Sequence, residues 1–255
     1  MKRYLIFIDV DDTLVQTGQF FMDQRIPELF KRIQADGHVV AIVSGRALKG
    51  ILKINGIEKA KYVCGLMGRI AINTQTNQKI MDPRSMNKNE VKSFVKEVNK
   101  LGLKWTYKDD FTEKTYFTDS EIIKKYSPEV VGEKEVYKDI ENSKVFQLLV
   151  DGTLPDSIVN SYKNFEFLKM PGDYYDIITK GHSKSIIVEF LKKLYPGYIS
   201  VAIGDSVNDI PMFEKCEIKI AMGNAKNQLK QISTYITKNL EENGVVYAIE
   251  NILKI

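Results

Sequence analysis

Short apolar runs recur along this chain, and several stop abruptly at polar residues. Tyr4-Leu5-Ile6-Phe7-Ile8 runs into Asp9-Val10-Asp11-Asp12-Thr13, and Val39-Val40-Ala41-Ile42-Val43 into Ser44-Gly45-Arg46. Later, Ile199-Ser200-Val201-Ala202-Ile203 runs into Gly204-Asp205-Ser206-Val207-Asn208-Asp209. Runs of this length, rich in branched and aromatic residues, predict strands of a parallel sheet covered on both faces. An amphipathic stretch such as Ile186-Ile187-Val188-Glu189-Phe190-Leu191 predicts a helix between such strands. The pattern is that of an α/β protein with a parallel-sheet core.

The middle of the chain reads differently. Val91, Phe94, Val95, Val98 and Leu101 fall at helical spacing, and a strand pair follows at 103–107 and 114–118. The idea then repeats with a strand at 145–150, a helix near Ile158, a strand at 165–168, a Pro171-Gly172-Asp173 turn and a strand at 174–178. This predicts an inserted α/β domain with a mostly antiparallel sheet. The Asp82-Pro83-Arg84-Ser85 turn is a plausible linker into it. The expected organisation is a first core segment 1–83, an insert 84–181 and a second core segment 182–255, with no low-complexity tract or short-period repeat.

Ligands of open α/β sheets bind outside the carboxyl ends of the strands, so Asp9 is placed at the floor of such a crevice. Carboxylates this close repel one another, and a fold tolerates them best when a cation neutralises them. The expectation is a magnesium site with a reactive carboxylate. A helix pattern follows Ser44-Gly45-Arg46, whose first backbone N–H groups would suit a phosphate. In Thr179-Lys180-Gly181-His182-Ser183-Lys184-Ser185, Ser183 is the expected N-cap, with Lys184 in the first helical turn. A cation there opposes the helix dipole by about 0.3–1 kcal/mol unless an anion sits nearby. Any one of these segments also reads as an ordinary turn or cap, but three strand ends of this kind together point to a site. An EF-hand is excluded, because counting from Asp9 the chain has Leu14 and Phe20 where Gly and Glu are needed. A P-loop is excluded by glycine spacing.

Taken in order, Asp9-Val10-Asp11-Asp12-Thr13, Ser44-Gly45-Arg46, Lys184 and Gly204-Asp205-Ser206-Val207-Asn208-Asp209 resemble the four motifs of the haloacid dehalogenase superfamily. Ala221-Met222-Gly223-Asn224-Ala225 and Glu242-Asn243-Gly244-Val245 look like its Cof-type phosphatases with a type IIB cap. The resemblance covers roughly the first and last thirds of the chain closely, and the middle in length and position only. It implies a Rossmann-like core carrying an inserted cap, and a magnesium-dependent phosphatase acting on small phosphorylated metabolites, sugar phosphates foremost. By the same resemblance Asp9 is the nucleophile that forms an aspartyl-phosphate, and Asp11 the general acid and base. Magnesium would be held by the Asp9 carboxylate, the Asp11 carbonyl and Asp205, with Asp209 in support. Ser44, Gly45, Lys184 and Asn208 would bind the phosphoryl group. Two positions depart from the pattern. Ser44 stands where Thr is usual, and where an Asn-Gly is common Cys64-Gly65-Leu66-Met67-Gly68-Arg69 keeps Gly68 but places Met67 and Arg69 around it; Arg69 could reach an anionic leaving group, although a surface arginine on a hairpin is the expected reading.

Composition changes this picture little. The chain has 255 residues, 44% hydrophobic, enough for one sizeable core and a second small domain. Lys plus Arg total 37 against 33 acidic residues, a net charge of +4 too small and too mixed to argue for nucleic acid or a membrane, and no obligate protein partner is evident. Cys64 and Cys216 lie in apolar settings and read as buried, reduced thiols. The apolar start is interrupted by Asp9, too early for a signal peptide, so the cytoplasm is expected. Trp105, Tyr107, Tyr116, Tyr174 and Tyr175 could line a sugar-binding surface, although packing is the commoner use of strand aromatics; His38 and His182 read as structural and exposed, respectively. Two other functions fit the motifs, a sugar phosphomutase of the same superfamily and a non-catalytic phosphate-ligand sensor.

Overall fold

The computed structural model describes residues 2–80, 85–109, 114–117, 140, 143–170 and 172–255; the side chains of 109 and 114–117 are outside the description. The chain divides into two compact units, Met1–Asp82 with Ser183–Ile255, and Pro83–His182. The linker turn at 82–85 lies largely outside the described residues, as does Pro171.

The first unit is built on one eight-stranded sheet. Its strands are β1 (Tyr4–Ile8), β2 (Val39–Val43), β3 (Tyr62–Gly65), β4 (Ile70–Asn73), β5 (Gln78–Lys79), β11 (Ile199–Gly204), β12 (Ile218–Ala221) and β13 (Tyr235–Ile236), in the order β13-β12-β11-β1-β2-β3-β4-β5. The six strands from β13 to β3 run parallel, and β4 and β5 add an antiparallel edge. β1 is the switch point: strand order climbs through β2 and β3 on one side and through β11 to β13 on the other. The crevice for a ligand is therefore expected at its carboxyl end.

The apolar runs become these strands because both faces are covered: Leu5, Ile6, Phe7 and Ile8 are wholly buried, as are Val40 to Val43. Burying a side chain of this kind contributes about 1.5–3 kcal/mol, so the run fixes the strand more firmly than local propensity could. Helix α1 (Arg25–Ala35) buries Ile26, Leu29, Phe30 and Ile33, one face at helical spacing, and packs against β2. Helix α2 (Leu48–Leu52), expected directly after Arg46, starts only at Leu48 with Ala47 at its N-cap and has five residues. In α3 (Lys88–Lys100), the Asn87 side chain accepts from the N–H groups of Asn89 and Glu90, a cap that sets the start. Val91, Phe94, Val95 and Val98 are buried there, but Leu101, expected on the same face, is the exposed C-cap, because the helix ends one residue before it.

The second unit carries a five-stranded, wholly antiparallel sheet of order β7-β6-β8-β10-β9, made of β6 (Lys104–Asp109), β7 (Lys114–Phe117), β8 (Gln147–Asp151), β9 (Phe165–Met170) and β10 (Tyr174–Thr179). One face packs on α3 through Trp105, Tyr107, Leu148, Val150, Phe165 and Ile177. Trp105 and Tyr107 are thus packed aromatics, and Tyr175 packs beside them; the Tyr116 side chain lies outside the description.

Candidate active site

The register of the first sheet levels its strand ends. Ile8 pairs with Ile203 of β11 and with Ile42 of β2, so Asp9, Ser44 and Asp205 leave neighbouring strands at nearly one height. The Asp9 N–H donates to the Ile203 carbonyl at 3.0 Å, which carries the ladder one residue past β1 and fixes the Asp9 backbone.

Asp9, Asp205 and Asp209 converge, each offering a carboxylate oxygen within 4.8 Å of the others, and all three are buried. Lys184, wholly buried, donates to Asp9 and, at 2.6 Å, to Asp209. Asp209 is also held by Asp205 and Ser206. Its Oδ2 accepts from the N–H groups of Asp205 at 3.1 Å and Ser206 at 3.0 Å, and it closes a capping box with Ser206 around the short 3-10 turn Val207–Asp209. A Cβ on Gly204 would meet the Asp209 carboxyl carbon at 2.6 Å, so only glycine lets the end of β11 approach so closely. Thr13 donates to Asp205 at 3.4 Å.

One ammonium faces three carboxylates, so the buried charges do not balance. Burial, followed by repulsion from Asp209, pushes Asp9 up to about 7 despite the pull of Lys184. Burial and repulsion from Asp9 and Asp209 push Asp205 up to about 9. Lys184 is raised above its ordinary value: burial works against its charge, but Asp209 and Asp9 outweigh it. A buried excess of negative charge on hard oxygen donors is what a divalent cation relieves, so the residues fit a metal of the magnesium kind.

The three carboxylates of the opening motif separate. Only Asp9 joins the buried cluster. Asp11 is bound through both its oxygens by Arg46, at 2.6–3.2 Å, and Arg46 also donates to the Gln19 carbonyl and lies over the Phe20 ring. Asp12, at a φ of 53°, accepts from the Thr17 N–H and hydroxyl, a turn rather than a ligand position, while Asn224 donates to its carbonyl. Ser44 is buried and accepts from the Arg46 N–H at 3.0 Å. A Cβ on Gly45 would press on the Met67 sulfur at 3.3 Å. Asn208 stands beside Asp209 on the same turn, its side-chain oxygen buried without a hydrogen-bond partner among the described residues.

Three expectations are corrected. Ser183 is not the N-cap of the helix Ser185–Leu194: Lys184 holds that position with helical φ and ψ, and no side chain caps the helix. The buried ion pairs of Lys184 place it, and the anions that its location called for are the chain's own Asp9 and Asp209. Arg69 is not a surface residue but is 3% exposed, and burial lowers its guanidinium to about 10. Its loop is drawn inward, with Leu66 donating to the Arg46 carbonyl and Met67 to that of Ser44, at a cost in backbone strain, since Leu66 and Met67 both have positive φ. His182 is half-buried rather than exposed, while His38 is structural, its Nδ1 accepting from the Tyr4 N–H. The Arg46 fork on Asp11 is a contact that the sequence pattern did not single out. Its one signal was an arginine directly behind a strand-end serine and glycine.

A family model for haloacid dehalogenase-like hydrolases matches residues 6–249. A Streptococcus pyogenes protein named as a candidate bifunctional phosphatase/peptidyl-prolyl cis-trans isomerase is 27% identical over 261 residues, 98% of this chain and 54% of that protein, so the chain spans about half of its length. YkrA of Bacillus subtilis, named as a candidate phosphatase, is 25% identical over 264 residues, 99% of this chain and 98% of that protein. Among solved structures, the haloacid dehalogenase subclass IIB sugar phosphatase BT4131 superposes with a TM-score of 0.81 at 19% identity, covering 100% of both chains, a likeness of fold.

Proposed function

The chain belongs to the haloacid dehalogenase-like hydrolases, and from that premise we propose that it is a magnesium-dependent phosphatase of small phosphorylated metabolites, sugar phosphates first among them. One observation carries the reading: a buried lysine ties the carboxylate at the end of the central strand to Asp209, with Asp205 beside them. That is a nucleophile held next to a cation, in a pocket of charge suited to phosphoryl transfer.

In this mechanism an Asp9 oxygen attacks phosphorus in line as the ester oxygen leaves, giving an aspartyl-phosphate. Asp11 donates a proton to that oxygen and takes one from the water that then attacks phosphorus, which returns Asp9 and releases phosphate. Lys184, Ser44, Gly45 and Asn208 bind the phosphoryl oxygens, and Lys184 offsets the charge that grows on them. Asp9, Asp205, Asp209 and the Asp11 carbonyl would hold magnesium, which supplies charge neutralisation when bound. The Arg46 fork must release Asp11, wholly or in part, for Asp11 to reach the leaving oxygen. The ligand is a small molecule in this reading, with neither nucleic acid nor membrane involved; no helix among the described residues is long and apolar enough to cross one. Cytoplasmic residence is supported by two cysteines that are separate, free and buried, with thiols pushed well up by burial, Cys216 to about 12.

Phosphate release from a broad panel of esters, with magnesium and with EDTA, tests the activity. Asp9→Asn should remain folded and lose turnover. A rate above about a tenth of wild type, a barrier change below ~1.4 kcal/mol, would remove Asp9 from its role. Isomerised sugar phosphate without released phosphate would identify a mutase instead.

A further inference from the structure

Two stretches singled out by their sequence, Ala221-Met222-Gly223-Asn224-Ala225 and Glu242-Asn243-Gly244-Val245, have no part in the phosphoryl chemistry described above. The fold presses them together. A Cβ on Gly223 would meet the Asn239 side-chain oxygen at 2.4 Å and the Asn239 backbone nitrogen at 2.8 Å, and one on Gly244 would meet the Lys238 carbonyl oxygen at 2.1 Å. Glycine at both positions lets backbone turns touch. The Gly223 N–H donates to the Lys238 carbonyl at 3.0 Å, the Thr237 hydroxyl donates to the Gly244 carbonyl at 2.6 Å, and Asn239 and Glu242 close a capping box. The result is one tight, cross-bonded support.

Asn224 joins this support to the opening motif. Its side-chain oxygen accepts from the Leu240 N–H at 3.1 Å, which orients the amide, and its nitrogen donates at 2.8 Å to the Asp12 carbonyl, 212 residues earlier in the chain. Asp12 is a residue that needs holding. Its φ of 53° lies in the left-handed region, which few residues other than glycine enter. Two planar peptide units meet at Asp12. The Asp12 N–H donates to the Val15 carbonyl at 2.7 Å and so fixes the first unit, whose oxygen is the Asp11 carbonyl; Asn224 and a 3.3 Å bond from the Thr13 N–H to the Val10 carbonyl fix the second. Rotation between the two planes re-aims the Asp11 carbonyl. Among the described residues the other bonds of Asp12 run to Val15 and Thr17 in its own loop, so Asn224 is its tie to the rest of the fold. Asn224 is itself exposed, and the core does not depend on it.

We propose that Asn224 is a positioning residue: anchored by Leu240, it holds Asp12 in its left-handed conformation and thereby fixes the direction of the Asp11 carbonyl. The inference rests on the phosphatase reading in taking that carbonyl to be a magnesium ligand. Water can replace the bond to the Asp12 carbonyl but has no fixed position, so the loss of Asn224 is a loss of geometry rather than of hydrogen bonds.

The test uses the full chain with Asn224→Leu, which keeps the shape and loses both bonds, and Asn224→Gln, which keeps a donor and an acceptor. Magnesium affinity is read without catalysis, from the rise of Tm with magnesium concentration above its value in EDTA. In Asn224→Leu the Tm in EDTA should stay within about 4 °C of wild type. Its magnesium affinity should fall about fivefold or more, and kcat in saturating magnesium should fall by a similar factor with KM for the ester within about twofold. Asn224→Gln should return the affinity to within about threefold of wild type. Unchanged magnesium affinity in Asn224→Leu, with or without a lowered Tm, would make the residue structural and overturn the inference. Equal losses in both variants would assign the effect to packing, and a raised KM at unchanged kcat would place Asn224 at the substrate; either result overturns it too. A wild type that shows no magnesium-dependent Tm and releases phosphate from no ester removes the phosphatase reading and the inference with it. An active, magnesium-binding wild type matched by Asn224→Leu removes the inference alone.

Discussion

Lys184 is the residue on which the site turns, because one buried ammonium holds two carboxylates that repel each other and a third nearby. Removing one partner of a buried ion pair is costly, about 3–5 kcal/mol, since the charges left behind have neither water nor a counter-charge. Lys184→Met should therefore lower the free energy of unfolding by that order in urea, and magnesium should restore part of it. Stability without metal should also depend on pH in a definite direction. The unfolded chain releases the Asp9 and Asp205 protons near the ordinary carboxyl value of 3.8, whereas the folded chain keeps them until about 7 and about 9. The folded state binds more protons across that window, so its stability falls as pH rises from about 4 to about 9. Magnesium needs the deprotonated ligands, and its stabilising effect should grow over the same range. Thermal unfolding from pH 5 to 9, in EDTA and in magnesium, measures both trends. A flat Tm in EDTA would contradict the charge imbalance in the cluster.

At the level of elements, chemistry depends on how closely strand ends approach the turns that follow them. β11 ends in Gly204 because Asp209 folds back over it; Gly204→Ala would put a methyl against the Asp209 carboxyl, which cannot give way without breaking its bonds to Lys184, Asp205 and Ser206. That variant should keep the sheet, seen as an unchanged far-UV spectrum, yet lose at least tenfold in kcat. Wild-type kcat would show that the approach has no functional weight. The strands themselves were legible in the sequence, because β1, β2 and β11 are covered on both faces and so read as unbroken apolar runs. Three features were not. The start of the helix at Ser185 is set by tertiary ion pairs rather than by a capping side chain, and α2 is too short to have a period. The inward path of Leu66 to Arg69 follows from hydrogen bonds to Ser44 and Arg46, partners separated from it by about twenty residues of sequence. The four motifs carry polar side chains whose types survive in a linear reading. Pair geometry does not survive it, so the sequence offered Arg46 behind Ser44 and Gly45 without showing that it forks onto Asp11.

For the whole molecule, the two units have different kinds of core, one around a parallel sheet ending in charge, the other around an antiparallel sheet with one apolar face. If phosphoryl chemistry resides in the first and discrimination among alcohols in the second, substitutions in the two should leave different signatures. Lys184→Ala should slow all esters by a similar factor, since all present the same phosphoryl group. In the second unit the structure separates two neighbouring tyrosines that the sequence treated alike. Tyr175 packs on the apolar cluster and meets Phe167 edge-on, so Tyr175→Ala should chiefly lower Tm. Tyr174 lies on the face of Asp176 and Thr106, so Tyr174→Ala should change kcat/KM unequally across sugar phosphates, because only contacts that differ between transition states discriminate. A matrix of kcat/KM values, these three variants against several sugar phosphates and p-nitrophenyl phosphate, reads all of this at once, with Tm recorded for each protein. Uniform losses in Tyr174→Ala together with substrate-selective losses in Lys184→Ala would reverse the division of labour and return the choice of alcohol to the parallel-sheet unit.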